Sequence, residues 1–343
     1  MTELIKKLCL LNGTSGRENE VRDFIINEIK NFADSIEIDP LGNLLVMKKG
    51  KKRAKNRVML DSHMDEVGFM ITNINSDGTL NFECVGGISS AVMLGRHVSV
   101  GENKLPGVIG LMPIHLIPSD KRNDFPDRDS LSIDIGAQSK EEAEKLVRPG
   151  DCAYFDSEFV CFGDGYIKSK ALDDRVGCAI LINMIKTPQP YDLYYSFSVG
   201  EETGLGMAGT AVYNLKPDYA VVAETTTAAD LCGVDDTKTV CRLGEGGAVS
   251  FMDRRTVYDK KLFDRAFEIG REKNIKLQAK TMVAGGNNAG IIHKSAGGVK
   301  TLTVSVPCRY LHSPSCVIKE EDVYSSMPVS YTHLRAHETR GNL

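Results

Sequence analysis

The sequence predicts an α/β protein with a mixed, largely parallel sheet and helices on both faces, interrupted by a small β-rich domain. Three observations lead to this fold class. Apolar segments at residues 58–60, 193–199, 219–223 and 299–307 have the length of buried strands. Helical patterns lie between them, and the pattern changes between residues 67 and 162. The chain of 343 residues is long enough for one large domain or two ordinary ones.

Each predicted element has a local justification. At the N-terminus, residues 1–11 place Leu4, Ile5, Leu8 and Leu11 on one helical face. A Gly-rich break at residues 12–16 ends this helix. The remaining elements expected outside the β-rich part are helices at residues 21–32, 174–186, 206–214 and 261–274 and strands at residues 35–38 and 44–47.

Residues 67–162 contain short segments in which apolar and polar residues alternate, separated by Gly, Asn, Asp and Pro. This alternation is typical of antiparallel strands, so we expect a β-rich domain with one helix at residues 139–147. The larger α/β domain is then discontinuous and consists of residues 1–66 and 163–327.

Composition excludes several kinds of partner and location. The formal net charge of −4 disfavours a nucleic-acid partner, which would call for a basic surface. The nine cysteines are odd in number and include no Cys-x-x-Cys pair, which disfavours a disulfide framework and a thiolate zinc site. No apolar run approaches the roughly 20 residues of a membrane span, and the N-terminus does not resemble a signal peptide. We therefore expect a cytoplasmic protein without a membrane partner.

Most of the candidate site residues directly follow an apolar strand. Residues at the carboxyl ends of strands in an open α/β sheet meet at one crevice, so side chains far apart in sequence should converge there. Asp173 and Asp174 instead open a helix. The candidates that follow strands are His63, Asp65, Glu201, Glu202, Glu224 and His312.

Two imidazoles and three carboxylates form a ligand set suited to Zn, Co or Mn. Two such ions about 3.5–4 Å apart need a bridging carboxylate, and Asp173 is the natural candidate. A hydroxide held between the ions would be the nucleophile, and a nearby free carboxylate would transfer its proton. Of the neighbours Glu201 and Glu202, one can bind metal while the other faces the substrate carbonyl.

Each motif alone has a simpler interpretation. Asp173 and Asp174 could be a helix N-cap, placed favourably for the helix dipole. Glu201 and Glu202 could be a solvated loop pair, and a single surface histidine is rarely a ligand. One metal site explains all of these residues together, whereas the simpler interpretations must each hold independently.

These motifs resemble those of the glutamyl/leucyl aminopeptidases of the tetrahedral (TET) group, which are co-catalytic metallopeptidases. The resemblance runs from the N-terminus to about Asp322. The matching segments, in order, are residues 60–69, 107–110, 133–137, 170–177, 201–206 and 309–314.

The resemblance implies a hydrolase that removes N-terminal residues from short peptides with two divalent ions per subunit, Zn or Co, with Mn as a further option. His63 and Glu224 would bind one ion. Glu202 and His312 would bind the other, and Asp173 would bridge the two.

The resemblance also implies roles for two further carboxylates. Glu201 would be the general base, and Asp65 would orient His63 from behind, as metal-bound histidines usually require. The peptide bond between Asp173 and Asp174 is expected to be cis. The inserted β-rich domain would be a dimerisation domain that builds a dodecamer from dimers.

Two positions depart from the family pattern. Many relatives have Asp where this chain has Glu224, whose longer side chain can still reach a metal. Relatives usually have an acidic residue at the position of Asn288, so this chain lacks a charge expected near the substrate end of the cleft.

Two other functions remain open at this point. A two-metal deacylase or carboxypeptidase-like amidohydrolase would use similar ligands. A metal-binding scaffold without activity is disfavoured, because neither the base nor any ligand is replaced.

The last segment, residues 328–343, is predicted to be a non-native tail that resembles a translated adapter sequence. Pro328 breaks the helix expected after residue 319, and no apolar periodicity follows. We therefore expect the native chain to stop near Met327 and do not count His333 or His337 as ligands.

Overall fold

The computed structural model describes residues 1–122, 124–204 and 206–327. The strands in these residues are β1 (Ser35–Ile38), β2 (Leu44–Lys48), β3 (Val58–His63), β4 (Gly68–Ile74), β5 (Leu80–Val85), β6 (His97–Val100), β7 (Leu105–Gly110), β8 (Ser132–Asp134), β9 (Cys152–Phe155), β10 (Val160–Phe162), β11 (Tyr166–Ser169), β12 (Leu193–Ser198), β13 (Tyr219–Thr227), β14 (Gly247–Val249), β15 (Leu277–Ala279), β16 (Lys300–Cys308) and β17 (Cys316–Lys319). The α-helices are α1 (Thr2–Cys9), α2 (Asn19–Ile29), α3 (Ser90–Met93), α4 (Lys140–Ala143), α5 (Leu172–Lys186), α6 (Ala208–Leu215), α7 (Lys260–Lys273), α8 (Ala289–Ile292) and α9 (residues 320–327).

The central sheet of the described residues has eight strands in the order β1-β2-β12-β3-β13-β16-β14-β15. Its middle strands β12, β3, β13 and β16 are mutually parallel. Strands β1 and β2 at one edge are antiparallel, and β14 runs antiparallel to β16. This confirms the predicted mixed, largely parallel sheet.

Helices cover both faces of the sheet because consecutive strand residues point to opposite sides. Leu60 in β3 belongs to a buried cluster with residues of α1, α2 and α5, including Ile25 and Ile180. Its neighbour Met59 belongs to a different cluster with Val212 of α6 and Ile292 of α8. The central strands are therefore buried on both sides, which explains their continuous apolar runs.

Strands β4 to β9 form a closed antiparallel barrel in the order β4-β5-β8-β7-β6-β9. The barrel has its own core, where Phe69 makes edge-to-face contacts with Phe82 and Phe155 at ring-centroid distances of 5.0 and 5.1 Å. Strand β10, which the prediction included in the β-rich domain, pairs instead with β11, and β11 pairs with β17. The domain boundaries and the dimerisation role stay predictions.

Some predicted elements have different bounds. Of the helix expected at residues 139–147, only Lys140–Ala143 is α-helical. Strand β13 continues to Thr227, so Glu224 lies inside it rather than after it, and His63 is the last residue of β3. The β-branched Thr225 to Thr227 extend the strand because each pairs with a residue of β16.

At the carboxyl end of the described chain, β17 leads directly into α9. Residues 328–343, with the predicted non-native tail and His333 and His337, lie outside the described residues. In the part of the chain that the structure describes, no helix is long and apolar enough to cross a lipid bilayer.

Candidate metal centre and active site

His63 and Glu224 lie on neighbouring parallel strands at the same edge of the sheet. His63 ends β3 and Glu224 lies near the end of β13, so their side chains meet with 3.4 Å between His63 Nε2 and Glu224 Oε1. The His63 side chain is almost fully buried. Asp173 approaches the same ring, with its Oδ1 3.3 Å from His63 Nε2.

Asp173 lies at the distorted start of α5. Its backbone and that of Asp174 have non-helical dihedral angles, and the peptide bond between them is cis, as predicted. The second carboxylate oxygen of Asp173, Oδ2, is 3.7 Å from Nε2 of His312. The two oxygens of Asp173 therefore face two different imidazoles.

The second imidazole is held by loops. His312 lies in the loop between β16 and β17, and its Nε2 is 3.2 Å from Oε2 of Glu202, in the loop after β12. The other ring nitrogen, Nδ1, lies 2.8 Å from the carbonyl oxygen of Gly87, just after barrel strand β5. This contact fixes the ring with Nε2 directed at Glu202 and Asp173.

Asp65, which is predicted to orient His63, contacts that ring and several further groups. One of its oxygens is 3.3 Å from His63 Nδ1, whose ring also contacts the Asp65 carbonyl at 3.0 Å. The same carboxylate accepts the backbone N–H groups of Glu201 at 3.1 Å and Glu202 at 3.0 Å. The Ser15 hydroxyl donates to it at 2.6 Å. Asp65 thus contacts His63 and the backbone of both glutamates, and Ser15 belongs to no motif that could have predicted its contact.

The donor spacing fits divalent cations. Metal–ligand distances of about 2.0–2.1 Å place neighbouring donors of a tetrahedral site about 3.3–3.4 Å apart. The observed distances of 3.3 and 3.4 Å around His63 and of 3.2 and 3.7 Å around His312 are close to this value. In the described residues, two groups of three side chains have donor atoms that all lie within 4.8 Å of one another: one is His63, Asp173 and Glu202, and the other is His63, Glu224 and Asp174. However, the Asp174 oxygens accept the Ser62 hydroxyl at 2.5 Å and the Gly177 N–H at 3.1 Å, so Asp173 is the better donor.

The electrostatics of the donor set favour positive charge at both imidazoles. Burial lowers the pKa of His63, but Glu224 and Asp173 outweigh it and raise this pKa well above its usual value. Burial also lowers the pKa of His312, and hydrogen bonds to Asp173 and Glu202 raise it to about 12. A bound cation would take the place of these protons, because neutral imidazole is the form that ligates a metal.

Glu201 differs from its neighbour Glu202. In the described residues, no imidazole nitrogen lies within 4.0 Å of a Glu201 oxygen, whereas Glu202 contacts His312. Burial raises the pKa of Glu201 to about 7, with nearby Glu202 and Asp173 adding to the shift and His63 opposing it. A buried carboxyl with such a pKa can both accept and release a proton near neutral pH.

A network of buried charged side chains lies next to the candidate site. Lys170 Nζ lies 2.7 Å from Oε1 of Glu66, and Arg175 donates from Nε to the Met64 carbonyl at 2.8 Å and from Nη1 to the Leu8 carbonyl at 2.7 Å. This network joins the start of α5, the segment after β3 and the N-terminal helix. Glu66, Lys170 and Arg175 lie in motifs that carried the family resemblance, although the sequence alone assigned them no role.

Asn288 lies elsewhere than expected. Rather than facing the substrate end of the cleft, it is buried and donates from Nδ2 to Asp61 Oδ2 at 2.9 Å and to Ser198 Oγ at 2.7 Å. Its neighbour Asn287 lines the cleft. The asparagine therefore supports strand β3 next to His63, where an acidic residue would face Asp61.

A cleft of about 570 Å³ opens over these imidazoles and carboxylates. Its lining includes the predicted residues His63, Asp173, Glu201, Glu202, Glu224 and His312. It also includes Arg254, Arg255 and Lys280, which the sequence did not single out because they belong to no motif.

Together, this fold and this donor set define a hydrolase of the metal-dependent peptidase class. The sequence model of the M42 glutamyl aminopeptidase family matches residues 42–328, so the chain belongs to that family.

Relatives and solved structures agree with this assignment. The chain is 37% identical to a putative aminopeptidase of Acetivibrio thermocellus over 95% of this chain and 96% of the relative. It is 30% identical to the lysyl aminopeptidase of Pyrococcus furiosus over 96% of this chain and 95% of the relative. The structure of the Pyrococcus horikoshii TET1 peptidase, which can assemble into a tetrahedron or a large octahedral shell, matches with a TM-score of 0.85 and 34% identity, covering 97% of this chain and 98% of that one.

Proposed function

We propose that the protein is a two-metal aminopeptidase that removes N-terminal residues from short peptides. The observation that carries this proposal is the position of Asp173, whose two oxygens face His63 and His312 at 3.3 and 3.7 Å. Glu224 completes one donor group and Glu202 the other. Zn or Co is the favoured ion, and Mn is an alternative, because the ligands are imidazoles and carboxylates.

Two ions held in this way would acidify a water molecule into a nucleophile and polarise the scissile carbonyl. Glu201 lines the cleft beside these donors without contacting either imidazole. It accepts the proton of the attacking water and then donates it to the leaving amine. Its pKa of about 7 suits both steps, and Asp65 holds its backbone in place.

Adjacent glutamates provide a matched test. Glu201→Gln should keep the metal content, measured by elemental analysis, and should lower turnover of an aminoacyl-nitroanilide by about 100-fold or more. Glu202→Gln makes the same chemical change one residue later and should lower the metal content. If Glu201→Gln keeps near-normal turnover, Glu201 is not the base, and if it loses metal, it is a ligand.

The class of peptide substrate follows less directly from the family. One relative is a lysyl aminopeptidase, whereas the family is described as glutamyl, so membership alone leaves the preferred first residue open. The cleft volume of about 570 Å³ suits a few residues of a peptide.

We also propose that the chain forms a homo-oligomer, a dodecamer built from dimers, through the region at residues 67–162. The assembly of the TET1 peptidase into a tetrahedron supports this. Between β7 and β8 the barrel exposes large apolar side chains, among them Ile114 (67% exposed) and Phe125 (78% exposed). Clustered exposed apolar residues mark protein interaction sites.

Nine free thiols support a reducing, cytoplasmic location.

Charge introduced at the barrel tests the assembly. Ile114→Asp should reduce the particle mass measured by light scattering, because a carboxylate cannot be buried unpaired in an apolar contact. Val257→Asp is the matched control, since Val257 is similarly exposed (74%) but lies outside the barrel. An unchanged mass for Ile114→Asp, or an equal loss for both variants, contradicts this role for the segment.

A further inference from the structure

Two buried cysteines flank the loop that carries His312. Cys308 is the last residue of β16 and Cys316 is the first residue of β17, so His312 lies midway between them in the sequence. Both side chains are free thiols, and both residues are buried. The proposed peptidase chemistry uses neither of them.

The two thiols point to the same side of the paired strand ends. Arg309 and Val317 form an antiparallel pair, with N–H to carbonyl distances of 2.8 and 3.0 Å. Cys308 and Cys316 each precede one member of this pair, so both side chains face away from Arg309 and Val317, into one buried cluster. A hydrogen bond with the Cys308 thiol lowers the pKa of Cys316, against the opposing effect of burial. The two sulfurs are therefore neighbours.

The Cys316 thiol also holds the backbone on both sides of His312. Its Sγ donates to the carbonyl oxygen of Tyr310 at 3.4 Å and to that of Ser313 at 3.3 Å. Tyr310 and His312 both have positive φ angles, of 59° and 57°. Residues with a side chain rarely adopt such angles, so the loop depends on contacts that hold it in this conformation.

Cys316 shares a small cavity with proposed metal ligands. The cavity has a volume of about 10 Å³, enough for about one water molecule, and its lining includes Cys316, Asp173, Glu202 and His312. The His312 side chain is 35% exposed, so the cavity lies next to solvent. A small neutral oxidant can therefore reach the Cys316 sulfur, although the residue is buried.

Oxidation of the two thiols to a disulfide would disturb the loop in two ways. A disulfide has no S–H group, so the hydrogen bonds to Tyr310 and Ser313 would be lost. In addition, Cys308 and Cys316 are diagonal neighbours in this register, and such Cα atoms are about 7–8 Å apart. Disulfides usually span Cα distances of about 4.4–6.8 Å, so the bond would draw the two strand ends together.

We propose that Cys308 and Cys316 are a reversible disulfide-forming pair, and that formation of this disulfide moves His312 away from Asp173 and Glu202. This inference rests on the proposed two-metal function and adds a regulation of the same site. The oxidised protein should bind the second ion weakly. It should keep the first ion, because His63 and Glu224 lie on central strands of the core.

Hydrogen peroxide is the oxidant that we assign to this reaction. The Cys316 sulfur attacks one peroxide oxygen, the O–O bond breaks, and a sulfenic acid and one water molecule form. The Cys308 sulfur then attacks the sulfenic sulfur, which forms the S–S bond and releases a second water molecule. The two thiols together lose two electrons and two protons, and the peroxide is reduced to two water molecules. Exchange with a small thiol restores both cysteines.

Trypsin provides a direct assay for the disulfide, because Arg309 lies between the two cysteines. Cleavage after Lys300, Arg309 and Lys319 places them on separate peptides, residues 301–309 and 310–319. After treatment with hydrogen peroxide and blocking of the remaining thiols, mass spectrometry should show these peptides linked, and dithiothreitol should separate them. Absence of the linked peptides from the wild-type digest would overturn the proposal.

Calorimetric titration with Co²⁺ measures the effect of the disulfide on the site. The reduced protein should bind two ions per chain, and the linked protein should bind the second at least about tenfold more weakly until it is reduced again. Cys308→Ala keeps the Cys316 thiol but cannot form the link, so peroxide should leave its second ion in place. Cys152→Ala, the same change at a buried thiol of the barrel, should behave like the wild type.

Two results would overturn the effect on His312 while the two-metal function stands. One is a linked protein that binds both ions as tightly as the reduced protein, and the other is an equal loss of the second ion in Cys308→Ala after peroxide treatment. If the reduced protein binds fewer than two ions, the proposed function fails, and hydrogen exchange of the amides at residues 310–315 decides the inference. Faster exchange in the linked protein would support it, and an unchanged rate would overturn it.

Discussion

His63 and His312 lie on opposite sides of Asp173, yet the protein holds their rings differently. His63 belongs to a central parallel strand, has a side chain only 1% exposed and is backed by the buried carboxylate of Asp65. His312 lies in a loop with a positive φ of 57° and has a side chain 35% exposed, and among the described residues its Nδ1 contacts the Gly87 carbonyl rather than a carboxylate. The first half of the donor set is thus preorganised by the core, whereas the second depends on loops and on contact with the barrel.

This difference predicts unequal effects of removing each ring. Without metal, His63→Ala leaves the buried carboxylates of Asp65, Asp173 and Glu224 without their shared positive partner, which should cost about 3–5 kcal/mol of unfolding free energy. His312→Ala should cost less, about 1–2 kcal/mol, because the His312 ring is 35% exposed, although its partner Glu202 is buried. Loss of a residue that orients a metal ligand lowers metal affinity or activity by roughly 10- to 100-fold. Loss of a ligand itself should have a larger effect, so both variants should lose turnover by more than about 100-fold.

Denaturation of the metal-free variants, together with elemental analysis, checks this comparison. Equal losses of stability in the two variants would show that the two halves are equally built into the core. A variant that keeps full metal content would remove its histidine from the ligand set.

The same contrast explains what the sequence could predict. The parallel strands bring His63 and Glu224 together, and the apolar runs before them revealed this edge of the sheet. The closed barrel and the pairing of β11 with β17 depend on contacts between distant segments, which local alternation does not specify. Lys280 directly follows the short strand β15 and belongs to no motif, so the local sequence does not predict its place in the cleft.

We expect a smaller loss of stability from a change at Asn288, which contacts the strand that carries His63. Asn288→Asp would place a second carboxylate against Asp61, which is fully buried and 2.9 Å from the Asn288 amide. Repulsion between two buried carboxylates and the loss of the amide donor should cost about 2 kcal/mol, measured as a lower free energy of unfolding at neutral pH.

The double variant Asp61→Asn/Asn288→Asp is the matched control, because it exchanges the two groups and keeps one carboxylate. It should recover most of the lost stability. If the single variant is as stable as the wild type, Asn288 does not support β3 in the way that its contacts indicate.

The sharing of Asp173 by two ions is the central claim, and a metal titration tests it most directly. Metal-free protein is titrated with Zn²⁺ or Co²⁺ by calorimetry, and aminoacyl-nitroanilide turnover is followed in the same samples. We expect two ions per chain, with turnover reaching its maximum only as the second ion binds, and the loss of both tight sites in Asp173→Asn. Full turnover with one ion per chain, or two tight sites remaining in Asp173→Asn, would contradict the claim.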